Sequence, residues 1–344
     1  MNYNTMAGAA GQCVRPRLGT PRPGTRLFDG AKANMIRMTR KGFARFALLA
    51  ILLGFAGLPA AVRTEDTPTY QLRFRFTPGQ DLYYVSPGGA SYLVQHPQGN
   101  NTVLHKAMYL RHMSVSKINE DGSTDVQLIL DRAYMTAKNG DVDSEYNSET
   151  PDKVPTEFET VHASIGKPQK FRLSPLGKIL PIPGETKPVE QVELLIALPE
   201  QPVAVGATWK ERFEASVNVN RESMLMRPIK MERRFELMSV EKGIASITLN
   251  TVCLTPLNDP FQESQIIQRK SKGLIRFDIE KGLLVDRQLQ VEEEVVGQEG
   301  PGTALTVRSM RVDQLIGVDQ AKNVDLSKTP VPTGVAERGT ESPK

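Results

Sequence analysis

Four histidines are the side chains best suited to acid–base catalysis or metal binding in this chain: His96, His105, His112 and His162. His105 and His112 are seven residues apart in a stretch that alternates like a β-strand. An odd spacing on a strand places two side chains on opposite faces. These two histidines therefore cannot share a metal ion, and we interpret them as solvated or hydrogen-bonded histidines of a sheet.

Acidic residues at alternate positions, Asp141, Asp143 and Glu145, are oxygen ligands of the kind that calcium prefers. The segment lacks the glycine at the sixth position and the glutamate at the twelfth that an EF-hand loop requires. It is also rich in further acidic residues and prolines. We therefore predict a solvated, mobile loop over residues 138–159 rather than a calcium site.

Two other charged groups have structural explanations. Glu292 and Glu294 fall on one face of a predicted strand whose other face is apolar, which favours a solvated surface over a catalytic carboxylate pair. The stretch Arg227–Arg234 contains four basic residues and is interrupted by Glu232. We interpret it as an outward-facing strand surface rather than a patch for an anionic partner.

The remaining signals for chemistry are weak. Cys253 alternates with Ile247 and Leu249, so we expect a buried small side chain rather than a reactive thiol. Nucleophile elbows, zinc-binding HExxH sequences, P-loops and dinucleotide-binding glycine motifs do not occur. We assign no catalytic, cofactor-binding or metal-binding residues, expect no cofactor, and predict that the protein is not an enzyme.

The N-terminal segment has the three parts of a secretory signal. Basic residues extend from Arg37 to Arg45, an apolar run of thirteen residues follows at 46–58, and small residues end it at 59–61. That run is shorter than the roughly twenty residues that span a bilayer as a helix. We predict a misassigned N-terminal extension over residues 1–34, a signal peptide over 35–61, and an extracytoplasmic location, periplasmic or secreted. An uncleaved N-terminal anchor is the alternative, and would be the protein's only attachment to a membrane.

Removing the N-terminal segment changes the charge of the protein. Residues 1–61 hold nine of the 43 Lys and Arg residues and one of the 39 acidic residues, so the remainder carries 34 basic and 38 acidic residues, a net charge of −4. A mildly acidic domain has no overall attraction to nucleic acid. We therefore exclude nucleic acid as a partner.

The rest of the chain is organised around two similar hairpins that each close on a glycine. The first covers Lys170–Leu180, with the turn Ser174–Gly177, and the second covers Leu274–Val285. Each follows another hairpin with matching apolar positions: Val115, Val126 and Phe171 correspond to Leu237, Ile247 and Ile275. Such self-similarity can mark a duplication, although any two amphipathic hairpins share these features.

Alternating apolar residues predict many further strands, among them Tyr70–Phe76 and Glu263–Ser271, with a loop at Pro87-Gly88-Gly89. We predict a mainly β fold: a curved antiparallel sheet or half-barrel with one or two short helices. The β domain covers residues 62–320, with two similar halves at 70–187 and 207–318. A helix at 188–197 joins the halves, and residues 321–344 form a disordered tail.

Three sequence motifs carry a resemblance to a known family. They are YQLRFRF at 70–76, FRLSPLGKI at 171–179 and LPEQPVAVGATW at 198–209. The combination resembles a family of uncharacterised secreted bacterial proteins, a domain of unknown function, over most of residues 70–316. The resemblance implies a fold similar to the periplasmic lipoprotein carriers, in which a curved antiparallel sheet encloses an apolar cavity under helices. It implies no catalytic residues.

Two functions follow as expectations. The first is a non-enzymatic extracytoplasmic protein that binds a lipid or another apolar or amphipathic ligand in its cupped sheet. The second is a structural or adaptor module of the cell envelope that binds another protein at a sheet edge or through the acidic loop. A void on the inner face of the sheet favours the first function, and an inner face filled with side chains favours the second.

Overall fold

Strands dominate the computed structural model, which describes residues 67–182, 184, 192, 194–222 and 225–332. The predicted N-terminal extension and signal peptide lie outside these residues. The strands are β1 (Thr69–Tyr70), β2 (Asp81–Gln95), β3 (Asn101–Ile118), β4 (Thr124–Asn139), β5 (Val142–Asn147), β6 (Gln169–Leu173), β7 (Ile179–Leu180), β8 (Val203–Ala204), β9 (Thr208–Asn218), β10 (Met226–Glu241), β11 (Ile244–Cys253), β12 (Lys272–Asp278), β13 (Leu283–Val296) and β14 (Ala304–Ile316). The α-helices are α1 (Glu159–His162), α2 (Pro260–Ile266) and α3 (Val318–Asn323), and short 3₁₀ helices cover Thr156–Phe158, Ile267–Arg269 and Leu326–Lys328. No helix in this part of the chain is both long and apolar enough to cross a membrane.

Twelve strands form one antiparallel sheet. Its order is β7-β6-β4-β3-β2-β14-β13-β12-β11-β10-β9, and β5 pairs with β4 beside β6. The sheet is open, and β14 pairs with β2, so one continuous sheet contains both predicted halves. The predicted fold class, a mainly β protein with a large antiparallel sheet and a few short helices, is confirmed.

Alternation along the strands gives the sheet an apolar inner face. The largest buried cluster, which we call the apolar end, includes Leu82 and Val115 from the first half and Leu237 and Ile247 from the second. Short helical segments cover the inner face further along the strands. Phe158 and Val161 pack on β3, β4 and β5, and the 3₁₀ helix at Ile267–Arg269 packs on β13 and β14.

The two hairpin systems have the same register. The predicted matches hold across the ladders: Val115 pairs with Val126 and Val126 with Phe171, while Leu237 pairs with Ile247 and Ile247 with Ile275. Preceding turns repeat the same bonds. The Gly79 N–H donates to the Val115 carbonyl at 2.9 Å, and the Gly206 N–H donates to the Leu237 carbonyl at 2.7 Å. This agreement supports the interpretation as a duplication, which stays a prediction.

The segment Tyr70–Phe76 alternates as predicted, with Leu72 and Phe74 buried, but only Tyr70 belongs to a strand. Its backbone crosses between the two glycine turns instead. The Phe74 N–H donates to the Pro175 carbonyl at 2.8 Å, and the Arg75 N–H donates to the Gly282 carbonyl at 3.1 Å. The strand prediction was therefore wrong, because alternation reports which side chains are buried and not which backbone groups pair.

The predicted helix at 188–197 is also corrected where the structure describes it. Val192 and residues 194–197 are not helical, and all of them are buried in the apolar end. The Leu198 N–H donates to the Leu176 carbonyl at 2.9 Å. A short continuous apolar run does not distinguish a helix from a buried non-helical segment, and this one packs over the first glycine turn.

Parts of the predicted mobile loop and of the predicted disordered tail have secondary structure. Residues 142–147 of the acidic segment form β5, whose Tyr146 is buried, and residues 156–162 form the helical cover. At the other end of the domain, α3 and the 3₁₀ helix after it bury Ala321 and Leu326 against β2 and β3. The predicted tail therefore does not begin at 321, and residues 333–344 lie outside the described part of the chain.

Two local predictions were wrong: the loop at Pro87-Gly88-Gly89, where close packing explains the glycine, and the strand at Glu263–Ser271, where a cap starts a helix. Pro87-Gly88-Gly89 lies inside β2, where a Cβ on Gly88 would lie 3.3 Å from the Met310 carbonyl oxygen. Glycine there allows β14 to approach closely. The predicted strand Glu263–Ser271 is α2 and a 3₁₀ helix, since Asp259 caps the helix by accepting from the Phe261 N–H at 2.9 Å and Pro260 begins it.

Candidate functional site

A buried group of charges lies in the middle of the inner face, where β3, β2, β14 and β13 lie side by side. Its centre is Asp313, which is 0% exposed. The Arg287 guanidinium donates to Asp313 Oδ2 from Nη2 at 2.6 Å and from Nε at 3.1 Å. Arg311 Nε lies 3.4 Å from the same oxygen, and Arg111 Nη1 lies 4.0 Å from Oδ1. We call these four residues the charge cluster.

The arginines keep Asp313 ionised. Burial by itself raises the pKa of a carboxyl, but the positive charges of Arg311, Arg287 and Arg111 outweigh burial and hold the pKa of Asp313 well below its ordinary value of 3.8. The cluster therefore contains three positive charges and one negative charge. Arg287 and Arg311 make further interactions besides those with Asp313.

Arg111 is held less firmly than its neighbours. It is 7% exposed, and its guanidinium lies over the Tyr109 ring at 4.6 Å from the centroid. Its hydrogen bond to Ser86 Oγ is long, at 3.5 Å. The facing oxygen, Asp313 Oδ1, has no hydrogen-bond partner among the described residues. A buried donor group and a buried acceptor thus face each other without a good bond.

Beyond the cluster, short side chains continue along the inner face. The register places Arg311, Gly88 and Ala107 in one row across three strands, and Ser309, Ala90 and His105 in the next. We call these two rows the central strip. Ala90 and Ala107 are half-buried, and the Arg311 side chain lies beside Gly88, with Cγ 3.4 Å from where its Cβ would be.

Polar side chains line one side of the central strip, which we call its polar wall. The Gln268 side chain donates to the Tyr92 hydroxyl at 3.0 Å and accepts from the Ser309 hydroxyl at 3.1 Å. The Tyr92 ring meets His105 edge-on, with centroids 5.7 Å apart. Burial lowers the pKa of His105, and the charge of Glu157 opposes that shift. The strip thus combines short apolar side chains with a polar wall and a basic end.

The other candidate residues are dispersed. His105 lies on the inner face, while His112 pairs across the ladder with Tyr83 on the outer face and has its Nδ1 2.8 Å from the Asp131 carboxylate. Their predicted placement on opposite faces is confirmed. His162 Nδ1 lies 2.9 Å from the Tyr146 hydroxyl, and His96 lies in the turn after β2. No three of the described His, Cys, Asp and Glu residues are grouped so as to hold a metal ion.

Most of the acidic candidates belong to strands, whereas Asp141 lies in the turn before β5. Asp143 and Glu145 project from exposed positions of β5, so their alternate spacing is that of a strand surface. Glu292 and Glu294 are exposed while Val291 and Val295 are buried, as predicted. Glu292 accepts from Arg308 Nε at 3.1 Å.

Cys253 and the basic stretch only partly follow the predictions. Cys253 is half-buried, and burial raises the pKa of its thiol. In the stretch Arg227–Arg234, Lys230 and Arg234 are exposed. Arg227 is exposed too but donates to Gln262 of α2 at 3.1 Å, and the half-buried Arg233 lies over the Phe213 ring at 4.4 Å. The outward-facing interpretation therefore holds for only part of the stretch.

Sequence reasoning missed the charge cluster. A signal was present in the alternation. Arg287 falls on the same strand face as Leu289 and Val291, and Asp313 falls on the same face as Leu315. A charged residue at an inward position of an otherwise apolar strand requires a buried partner. The partners come from strands that are far apart in the chain, so the grouping itself required the sheet order.

The fold and site place the chain in the class of open antiparallel β-sheet proteins. No family model and no curated protein matches it. Among solved structures, one described as lipid–protein interactions in lipovitellin is 12% identical with a TM-score of 0.37, covering 71% of this chain and 26% of that one. DynF of the dynemicin pathway of Micromonospora chersina is 8% identical with a TM-score of 0.20, covering 77% of this chain and 96% of that one. The chain thus spans about a quarter of the lipovitellin structure, and at these scores neither likeness identifies a function.

Proposed function

We propose that this is a non-enzymatic extracytoplasmic protein that binds an apolar or amphipathic ligand along the central strip. The observation that carries the proposal is the strip itself, where short, half-buried Ala90 lies between two covered parts of the same face and Ala107 packs at the edge of one of them. The strip together with its two flanking rows, from Ser86 to Tyr92 on β2, covers six residues, roughly 20 Å of strand. That length suits an extended acyl chain.

The rest of the inner face offers less room. At the apolar end, Leu72, Phe74 and residues 194–198 lie on the sheet and are themselves buried. A ligand therefore does not replace this layer without displacing the protein's own chain. The proposal accordingly restricts the ligand to the strip, rather than to a cup that extends along the whole sheet.

The test uses the full chain, produced with its own N-terminal segment. We expect lipids to copurify, as detected by mass spectrometry of a solvent extract, and a fluorescent fatty-acid probe to bind. Ala107→Trp fills the strip and is expected to lower probe affinity at least tenfold. Lys106→Trp, at the exposed neighbouring position of β3, is the control and leaves affinity unchanged. An absence of lipid and probe binding in the wild-type protein would refute the proposal.

A second candidate is an adaptor that binds an acidic protein. On the outer face, Lys210, Arg212 and Arg234 surround Glu232, and their side chains are 59%, 74% and 52% exposed. The carboxylate of Glu232 holds the three cations together on one surface, and its own pKa is lowered by them. Crosslinking in cells tests this candidate. A recurrent partner that is lost in the variant with Lys210→Glu and Arg212→Glu supports it, and unchanged crosslinks contradict it.

A further inference from the structure

We infer that the ligand of the central strip carries a carboxylate or phosphate group, and that Arg111 and the Ser86 hydroxyl bind this group. The inference rests on the proposed function, because it identifies the polar end of the same ligand. It assigns a role to a buried side chain whose polar contacts with the described residues are long.

The first argument is the poor bonding of Arg111. A guanidinium has five N–H donors, and the polar contacts of Arg111 within the described part of the chain are 3.5 Å to Ser86 Oγ and 4.0 Å to Asp313 Oδ1. Removing a charged group from water is costly unless good partners replace the water. A protein that buries an arginine without closing its bonds leaves those donors available to a ligand.

The second argument is the arrangement of charge. Asp313 Oδ2 lies against Arg287 and Arg311, while Oδ1 faces Arg111 at 4.0 Å, so a single carboxylate faces three guanidiniums and the cluster keeps a net positive charge. An added anion beside Arg111 and Ser86 meets a cation and a hydroxyl donor at once. Charge-assisted hydrogen bonds of this type are about twice as strong as neutral ones.

The third argument is position. Tyr109 and Ser86 form one row of the sheet, and Gly88 with Ala107 form the next row along the same strands. An amphipathic molecule with its anionic group at Arg111 can therefore place its chain directly over the strip. The same geometry leaves a neutral head group with fewer bonds at Arg111.

The experiment compares two probes of equal chain length, palmitic acid and 1-hexadecanol, at pH 8 by displacement of the fluorescent probe. We expect the acid to bind at least about tenfold more tightly than the alcohol, since bonds to charged groups are the stronger class. Arg111→Met should reduce acid binding to the level of the alcohol and leave alcohol binding unchanged. Arg308→Met, an exposed-face change on β14, should retain the preference for the acid.

Each outcome separates the two proposals. Equal binding of acid and alcohol by the wild-type protein overturns the inference and leaves the proposed function standing, whereas binding of neither probe refutes the proposed function. If inorganic phosphate displaces the probe while neither palmitic acid nor 1-hexadecanol does, and if Arg111→Met abolishes that displacement, the anion site is supported and the apolar part of the proposed ligand is overturned. If Arg111→Met does not fold, Ser86→Ala replaces it. A preference for the acid that is unchanged in this variant counts against the site.

Discussion

The apolar end and the charge cluster lie on the same face of one sheet, yet they are built in opposite ways. At the apolar end the chain folds back on itself so closely that a Cβ on Gly177 would lie 2.0 Å from the Ile196 carbonyl oxygen. Phe74 meets Phe277 edge-on there, with centroids 5.4 Å apart. At the cluster, Arg111 and Asp313 are both buried but lie 4.0 Å apart without a hydrogen bond.

This difference separates stability from binding. Close apolar packing contributes stability because every buried atom finds contacts. A buried charge cluster contributes little net stability compared with an apolar core of the same size, although removing one member is costly. We therefore expect the apolar end to stabilise the fold, and the cluster with its adjoining strip to be the region available to the proposed ligand.

Gly177→Ala is the change expected to have the largest effect. Gly177 has φ of +78°, and the added methyl group meets backbone and the Phe74 ring, so the turn and the crossing segment must move apart. We expect the free energy of unfolding to fall by about 4 kcal/mol, from strain at positive φ plus overpacking. Urea denaturation measures the loss.

Gly79→Ala is the matched control for that prediction. Gly79 has φ of +75°, but nothing lies within 4 Å of its added Cβ. Only the backbone cost remains, about 1 kcal/mol. Equal losses in the two variants would show that close packing at the apolar end contributes nothing beyond the turn conformation.

Asp313→Asn tests the cluster. The amide leaves two buried guanidiniums and the half-buried one of Arg311 without their carboxylate. We expect a loss of about 3 kcal/mol at pH 7, as for other broken buried ion pairs. Urea denaturation again measures it. A loss below about 1 kcal/mol would show that the arginines are stabilised by other groups.

The stability difference between the wild-type protein and Asp313→Asn should change with pH in one direction. The folded-state pKa of Asp313 lies below its ordinary value of 3.8. Its contribution is therefore complete above that value and is lost as the pH falls through the lower folded-state pKa. The stability difference between wild type and Asp313→Asn should stay constant from pH 7 to 5 and shrink below pH 4. A difference that grows on acidification would contradict the ionised state.

Much of the fold could be predicted from the sequence because alternation reports burial directly. The parity of Val115, Val126 and Phe171 fixed which faces are apolar, and the glycine turns fixed where strands reverse. Alternation does not report backbone partners, so the segment at Tyr70–Phe76 was assigned to a strand although it crosses between two turns. The helix predicted at 188–197 was wrong at Val192 and residues 194–197 for a different reason, because a short apolar run does not distinguish a helix from a buried non-helical segment.

The candidate site was less accessible to prediction. Ser86, Arg111, Arg287 and Asp313 come from four strands, and β14 returns to pair with β2 across most of the chain length. Each residue alone resembles an ordinary charged or polar side chain in a strand. Only its inward parity was informative, and parity does not identify a partner on another strand.

Tyr84→Phe is the smallest change, and it tests the boundary between the two regions. Tyr84 is buried, and its hydroxyl donates to the Leu284 carbonyl at 3.1 Å, which joins β2 of the first half to β13 of the second. Burial raises the pKa of this hydroxyl above its ordinary value, so it stays protonated and remains a donor. Loss of the hydrogen bond leaves a buried carbonyl with one partner fewer and should lower the free energy of unfolding by about 1 kcal/mol.

Tyr83→Phe, on the outer face, is the control and should change the free energy of unfolding by less than about 0.5 kcal/mol. If urea denaturation gives the same value for both variants, the boundary is held by apolar packing alone, and the apolar end extends as far as the charge cluster.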